Sequence, residues 1–287
     1  MQEKKRGRTH SRWLLPAALV LAGAAWFENF TLSTSTVTAA CAALPEAFSG
    51  LRIVQISDLH GRRFDVESRY LLELVRLQSP DLIALTGDLA DEFTDFSMLP
   101  PLLDGLTALA PTFYVTGNHE WVLSREKREA LFSMLDTAGV VRLQNEYRLL
   151  KKGQASIVLA GVDDPNGPYD QKRPAQLVRE IRQSRGRDAY ILMLSHRNDE
   201  LDLWANMGVQ TVLCGHGHGG IVRLPFVGAV FGTHLDLFPD YTAGLYRKGQ
   251  TSMIVSRGLG GSRKLPLRIG NRPEIVTVIL KAESGKV

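Results

Sequence analysis

Cysteine is nearly missing from this chain: Cys41 and Cys214 are the two thiols in 287 residues. Two thiols build no disulfide framework, so a hydrophobic core has to hold the fold. Cys214 ends an apolar run, where a buried free thiol is the expected state. Internal repeats are missing as well, and no low-complexity tract exceeds a few residues, which removes repeat architectures. Net charge is missing outside one short stretch. The formal total is +4, and "MQEKKRGRTHSR" supplies all of it, with Lys4, Lys5, Arg6, Arg8 and Arg12 set against Glu3. The rest of the chain is formally neutral, so no basic face suited to nucleic acid is evident. What remains is ordinary globular composition, 44% hydrophobic and 22% charged, enough for one large domain or two small ones.

The basic tail leads into "WLLPAALVLAGAAWF", followed by Glu28 and Asn29. A basic region before an apolar core is the pattern of a signal peptide or signal anchor. The run is shorter than the roughly 20 residues of a relaxed transmembrane helix. Trp13, Trp26 and Phe27 suit a membrane interface. "AGA" at 22–24 lies inside the apolar run with no polar spacer, which favours an uncleaved anchor over a cleaved signal. The alternatives are a helix docked on the domain and a segment lying in the interface. The expected organisation is a tail and anchor helix at 1–30, a lead-in at 31–50 and one domain at 51–287. Residues 28 to 51 contain no Lys or Arg, so the positive-inside rule keeps the tail cytoplasmic. A spanning segment then puts the domain on the extracytoplasmic side.

From Leu51 a rhythm begins. "LRIVQIS" ends in "DLH", "DLIALT" in "GD", "TFYVT" in "GNHE", "AYILMLS" in "HRND" and "QTVLC" in "GHGHGG". The apolar runs do not alternate, as in strands buried on both faces. Between them lie helical stretches. "RYLLELVRLQSP" has Tyr70, Leu71, Leu74, Val75 and Leu77 at helical spacing, with Pro80 as its close. "FSMLPPLLDGLTAL" reads as a helix broken by prolines. "SREKREALFSMLDTAG" reads as a helix capped by Gly139. Ligands of open α/β sheets bind outside the carboxyl ends of strands. Here those ends carry Asp58, His60, Asp88, Asn118, His119, His196, His216 and His218, five of the seven histidines of the chain. Glycines around His216 and His218 let two imidazoles on one loop turn toward one point. The donors are carboxylate, imidazole and amide, too many for one tetrahedral zinc and suited to two metals. Mixed N and O ligands favour Mn, Fe, Zn or Co over Ca or Mg.

"DLH", "GD", "GNHE", "H" and "GHGH", in this order, resemble the calcineurin-like metallophosphoesterase superfamily, over roughly Leu51 to the C-terminus. The resemblance implies an α/β fold of two mixed β-sheets packed face to face with helices outside. It implies that Asp58, His60 and His218 hold one metal, that Asn118, His196 and His216 hold the other, and that Asp88 bridges both. His119 is implied near the leaving-group oxygen as the catalytic acid. "GGIVRLPF", "YTAGLY", "VSRGLG" and "NRPEI" further resemble the membrane-associated branch of phosphohydrolases. That branch often has a polar residue and a glutamine where this chain has Gly217 and Ile221. The implied activity is hydrolysis of a phosphodiester or pyrophosphate at a membrane surface, with a lipid-linked nucleotide-sugar pyrophosphate as the variant substrate. A non-catalytic scaffold of the same fold is the rival, but scaffolds of this kind tend to lose motif histidines and none is missing here. Arg62 and Arg63 follow His60 and offer guanidinium forks for phosphate, or simply solvated surface. Asp163 and Asp164 are a rim of the site or part of a Pro-Gly turn. Arg272 is assigned to the fold and His234 to no function.

Overall fold

Apolar runs of four or five residues are too short for helices and build strands; the amphipathic stretches between them build the helices that cover the sheets. The computed structural model describes residues 11–233, 235–261 and 267–283, so His234 lies outside the described residues. The chain begins with α1 (Ser11–Phe30) and β1 (Ser33–Cys41). It continues through β2 (Arg52–Ile56), α2 (Arg69–Leu77), β3 (Leu82–Thr86), α3 (Leu99–Leu109), β4 (Thr112–Val115), α4 (Asn118–Val122), α5 (Arg125–Thr137) and β5 (Val141–Arg142). Next come β6 (Glu146–Lys152), β7 (Ala155–Gly161), α6 (Pro174–Arg185), β8 (Ile191–Leu194), α7 (Leu201–Asn206) and β9 (Thr211–Cys214). A small hairpin, β10 (Val222–Leu224) and β11 (Gly228–Phe231), precedes β12 (Gly244–Lys248), β13 (Thr251–Val255) and β14 (Glu274–Ala282).

The strands form two six-stranded mixed sheets, ordered β1-β14-β2-β3-β4-β5 and β12-β13-β9-β8-β7-β6. In the first, β2, β3, β4 and β5 run parallel and β14 enters antiparallel to β2. In the second, β13, β9, β8 and β7 run parallel, with antiparallel hairpin partners at both edges. Ile53, Phe113 and Val115 of the first sheet pack against Leu159, Leu192 and Leu213 of the second, forming the inter-sheet core. On the outer faces, Ile83 meets Leu103 and Leu131, while Val212 meets Ile181 and Trp204. The layers are helices, sheet, sheet, helices. All five residues of β3 are buried, the physical reason its sequence does not alternate.

Some local readings need correction. Tyr70 and Leu77 are exposed on α2, so its buried face is narrower than its apolar spacing. Pro100 and Pro101 occupy the first turn of α3 and start it, where no N–H is needed. Ser124 caps α5 by accepting the Lys127 N–H, and Gly139 follows the helix at φ 78°, as its sequence suggests. The stretch expected as a lead-in belongs to the sheet: β1 pairs with β14 from Ser33 to Cys41, and Leu44 and Phe48 enter the inter-sheet core. Cys41 and Cys214 are both buried free thiols. Among the described residues no helix is long and apolar enough to cross a membrane.

Candidate metal centre

Parallel strands end with their carbonyl ends together, and the polar residue after each run is delivered to one rim. Asp58 and His60 follow β2, Asp88 follows β3, Asn118 opens α4 after β4, His196 follows β8, and His216 and His218 follow β9. Ligand atoms of Asp58, His60, Asp88 and His218 all lie within 4.8 Å of one another, and so do those of Asp88, His196 and His216. Asp88 belongs to both groups. Asn118 Oδ1 lies 3.2 Å from His196 Nε2. All seven residues expected as ligands are therefore brought together.

The donors fit cations better than each other. His196 Nδ1 donates to the Thr86 carbonyl at 2.8 Å, which leaves the Nε2 lone pair of the neutral ring pointing inward. That Nε2 faces Asp88 Oδ2 at 3.2 Å, Asn118 Oδ1 at 3.2 Å and His216 Nδ1 at 3.1 Å. A single proton cannot satisfy so many acceptors. In the other group, His60 Nε2 stands 3.6 Å from Asp88 Oδ2 and Nδ1 stands 3.6 Å from Asp91 Oδ2, both beyond hydrogen-bond range. Both ring nitrogens of His60, and Nδ1 of His218, are buried without a hydrogen-bond partner. Buried imidazole nitrogens facing carboxylates at such distances are what a divalent ion satisfies.

The electrostatics agree. Burial alone would raise the Asp88 carboxyl, but His196, His60 and His119 overcome it and hold the group well below the usual range. Burial opposes charge on His196, yet Asp88 and Asp58 pull it up to about 10: the carboxylates favour a positive charge at Nε2, a proton on the ring or a cation in its place. Burial, with His196 and Arg197 beside it, lowers His216 to about 3. Burial, His60 and Arg268 likewise lower His218. The last two rings are thus held neutral, the form that binds metal.

The backbone carries strain at the same places. Asp58, His60, Asp88, His216 and His218 have φ of 51°, 48°, 54°, 67° and 50°. Left-handed backbone at residues with a Cβ costs energy and persists where surrounding structure fixes it, characteristically at functional sites. Glycine allows the close approach between loops. A Cβ on Gly87 would come within 2.6 Å of the Gly117 nitrogen, and one on Gly215 would run into the Asp58 carboxylate.

A supporting layer holds these loops, and much of it is not evident from sequence. The buried Glu120 carboxylate accepts N–H groups of Asp88, Leu89 and Gly117 at 3.0, 2.8 and 2.7 Å. Burial and Asp88 push its carboxyl up to about 7. The only sequence signal is a Gly-x-x-Glu spacing before a helix, a form of capping box. Asn271 donates to the carbonyls of His218 and Gly220 at 2.8 and 2.6 Å, pinning the glycine loop. Asp163 accepts from Thr116 Oγ1 at 2.7 Å, tying the loop after β7 to the loop after β4.

Arg197 was also missed. Its Nε donates to Asp164 Oδ2 at 2.6 Å and its Nη2 to Asp164 Oδ1 at 3.1 Å, a two-point fork on a fully buried carboxylate. Its Nη1 lies 3.2 Å from His216 Nε2, at the edge of the donor cluster. A basic residue directly after a strand-end histidine was the available signal. Asp164 also accepts the Asn166 N–H, so the turn reading and the site reading of Asp164 both hold.

Arg62 and Arg63 have other partners in this structure. The Arg62 guanidinium donates to the Asn29 carbonyl and stacks on Phe30 and Phe64, 5.3 and 5.4 Å from the ring centroids. Arg63 pairs with Asp95 at 2.6 Å on the surface. Arg272 serves the fold as expected, donating to the Leu32 carbonyl at 2.6 Å. His119 lies beside the cluster: its ring meets His60 edge-on at 4.7 Å, and its backbone N–H donates to Asp88 Oδ1 at 2.8 Å.

Known proteins resemble this chain. Residues 51–220 match the calcineurin-like phosphoesterase family. The chain is 32% identical over 268 residues to the uncharacterized metallophosphoesterase YkuE of Bacillus subtilis, covering 90% of this chain and 89% of that one. It is 31% identical over 234 residues to phosphodiesterase YaeI of Escherichia coli, covering 80% and 82%. A transmembrane protein with metallophosphoesterase domain from Danio rerio is 27% identical over 253 residues, covering 83% of this chain and 55% of that protein. On this likeness and on the donor set, the chain belongs to the calcineurin-like phosphoesterase family and is a phosphate-ester hydrolase.

Proposed function

We propose that this chain is a binuclear-metal phosphohydrolase that cleaves a phosphodiester or pyrophosphate bond. The observation that carries this is the convergence of seven N and O donors, with buried imidazole nitrogens facing carboxylates too far away to bond. Asp58, His60 and His218 would hold one divalent ion, Asn118, His196 and His216 a second, and Asp88 both. Bound there, such ions supply Lewis acidity toward phosphate oxygens and lower the pKa of the attacking water. Mixed imidazole and carboxylate donors suit Mn, Fe, Zn or Co.

The protein's own groups do the rest. Arg197, fixed by Asp164 through Nε and Nη2, keeps Nη1 beside the donors, where it binds a phosphoryl oxygen and orients the phosphorus. His119 stands beside the cluster to donate a proton to the leaving oxygen. Glu120 keeps the Asp88 and Gly117 loops in register. A cleft lined by Asn198, Asp236 and Tyr241 opens beside His216 and gives room for a leaving group. A diester substrate is supported by the name of the E. coli relative. The test is hydrolysis of bis(p-nitrophenyl) phosphate against p-nitrophenyl phosphate by purified protein with Mn, Fe, Zn or Co. The diester should be favoured and a chelator should abolish turnover; indifference to metal contradicts the proposal.

We further propose that the enzyme works at a lipid surface, held by its N-terminal segment, on a phosphoester that is lipid-linked. The support is the basic tail, the apolar run and the exposed apolar side chains of α1, among them Leu15, Leu19 and Trp26. The extracytoplasmic side is supported by the charge asymmetry of the sequence alone. Protease added to intact spheroplasts should digest the catalytic domain; full protection contradicts that orientation.

A further inference from the structure

The cleft beside His216 has a chemistry of its own. Besides His216 it is lined by Asn198, Asp199, Asp236, Asp240 and Tyr241. These come from three places in the chain: the turn after β8, the glycine loop after β9, and the stretch between β11 and β12. Asn198 ties the three together. Its Nδ2 donates to the Tyr241 carbonyl at 2.8 Å, across 43 residues. The same nitrogen would stand 2.6 Å from a Cβ at Gly217, so the amide takes the space that a side chain between His216 and His218 would fill. Tyr241 is held at φ 50°, with its ring edge-on to Tyr246 at 5.0 Å.

The cleft is rich in acceptors. Asn198 is only 9% exposed, and among the described residues its Oδ1 accepts no hydrogen bond. A nearly buried amide oxygen is ordinarily bonded, so a donor entering the cleft completes it. Asp199, Asp236 and Asp240 likewise make no side-chain hydrogen bond or ion pair among the described residues. The Asp236 carboxylate lies against the wall, where a Cβ on Gly232 would run into it. No Lys or Arg lines the cleft among the described residues. Arg223 is engaged with the Gly219 carbonyl at 2.9 Å and the Thr242 hydroxyl at 3.1 Å. Four side-chain acceptors without a cation suit a group that gives hydrogen bonds. A phosphate or carboxylate in the same space would meet like charge, a repulsive element that discriminates between substrates.

We propose that this cleft takes the leaving alcohol of a phosphodiester and selects one that carries hydroxyl or ammonium donors and no anionic group. Asn198 determines specificity by accepting a hydrogen bond from that alcohol, and Asp236 and Asp240 exclude anions. This rests on the proposed binuclear hydrolase and narrows its substrate: a leaving arm that begins with a second phosphate is disfavoured, which selects the diester over the pyrophosphate. In the reaction the oxygen of water bonds to phosphorus as the P–O bond to the alcohol breaks. The leaving oxygen takes a proton from His119, which the water's proton restores.

The test uses the full chain loaded with Mn and four methyl phosphodiesters, of glycerol, 3-aminopropanol, n-propanol and glycerate. Release of methyl phosphate reports loss of the larger alcohol from each. Glycerol, 3-aminopropanol or both should exceed propanol about tenfold in kcat/KM, and the one that does names the donor; glycerate should be the poorest. Asn198→Ala should bring the preferred alcohol to within about twofold of propanol while metal content stays at the wild-type level. Asp236→Asn combined with Asp240→Asn changes only exposed side chains and should raise glycerate about tenfold relative to propanol. Calorimetric titration of the Mn-loaded protein with glycerol 3-phosphate, 3-aminopropyl phosphate, propyl phosphate and 3-phosphoglycerate should give the same order without turnover. Hydrolysis with neither donor-bearing alcohol above propanol, or with glycerate above it, overturns the cleft assignment and leaves the hydrolase standing. No methyl phosphate from any diester overturns the hydrolase, and the titration then decides the cleft: propyl phosphate or 3-phosphoglycerate binding as tightly as both donor-bearing esters overturns it.

Discussion

Glu120 and Asp88 are joined through the backbone: one oxygen of the Glu120 carboxylate accepts the Asp88 N–H at 3.0 Å and the Gly117 N–H at 2.7 Å. Its other oxygen accepts the Leu89 N–H at 2.8 Å and the Ala90 N–H at 3.3 Å. A single buried side chain thus sets the position of the loop that carries Asp88, the residue common to both donor groups. Glu120→Gln keeps the shape but turns an amide N–H₂ toward backbone donors. It should cost about 1–3 kcal/mol of stability and lower metal affinity together with activity. Urea melts and metal titration of the variant check this. Unchanged metal affinity would confine Glu120 to the fold.

Arg197 should act on substrate rather than on metal. Arg197→Ala should raise KM for a diester by about ten- to a hundredfold and leave metal content intact. Arg197→Lys should recover little, because a lysine cannot fork onto Asp164 and phosphate together. Asp164→Asn should reproduce part of the defect by loosening the guanidinium. Steady-state kinetics with metal analysis decide the matter, and metal loss in Arg197→Ala would contradict the assignment.

His119→Ala should keep its metals and lose about 10²- to 10⁴-fold in kcat. The loss should shrink for substrates with good leaving groups such as p-nitrophenol, which need no proton. Equal losses for good and poor leaving groups would remove the acid role.

Glu200 gives a pH dependence of stability. Burial and Asp199 raise its carboxyl, against the opposing Arg197, to about 7, above the value near 4.3 of an unfolded glutamate. The folded state therefore binds the proton more tightly. The stability this contributes is full below about pH 4.3 and lost as pH rises through about 7. Glu200→Gln should match the wild type in acid and exceed it at about pH 8, on the order of 1–3 kcal/mol after solvent screening. Urea melts at both pH values check the sign.

How far the sequence carries the structure depends on the distance over which each signal acts. Asp58, Asp88, Asn118, His196 and His216 were legible because each directly follows an apolar run, and parallel strands deliver such residues to one rim. Arg197 was not, because its meaning depends on Asp164, 33 residues away and inside an ordinary turn. For Arg62 the structure shows a partner that the sequence does not signal. Arg62 is two residues from His60, yet the chain turns and its guanidinium goes back to Asn29 and Phe30 of α1. "STSTVTAAC" falls in the expected lead-in at 31–50 because it precedes the first strand-end motif. Its alternation of partly buried and exposed residues is that of an edge strand, and its partner β14 lies more than 200 residues on. Glu120 stood in plain view inside "GNHE", but its service to the Asp88 loop is a tertiary fact.

The central claim is that Asp88 joins two metal ions in one hydrolytic centre. Elemental analysis of the wild type and of Asp88→Asn, both purified without chelator and assayed for diester hydrolysis, tests it most directly. The wild type should hold about two equivalents of a transition metal. Asp88→Asn should lose both metals together and most of its activity, more than any single substitution of Asp58, His60, Asn118, His196, His216 or His218. A wild type fully active with one equivalent, or an Asp88→Asn variant that retains both metals and its turnover, would contradict the account.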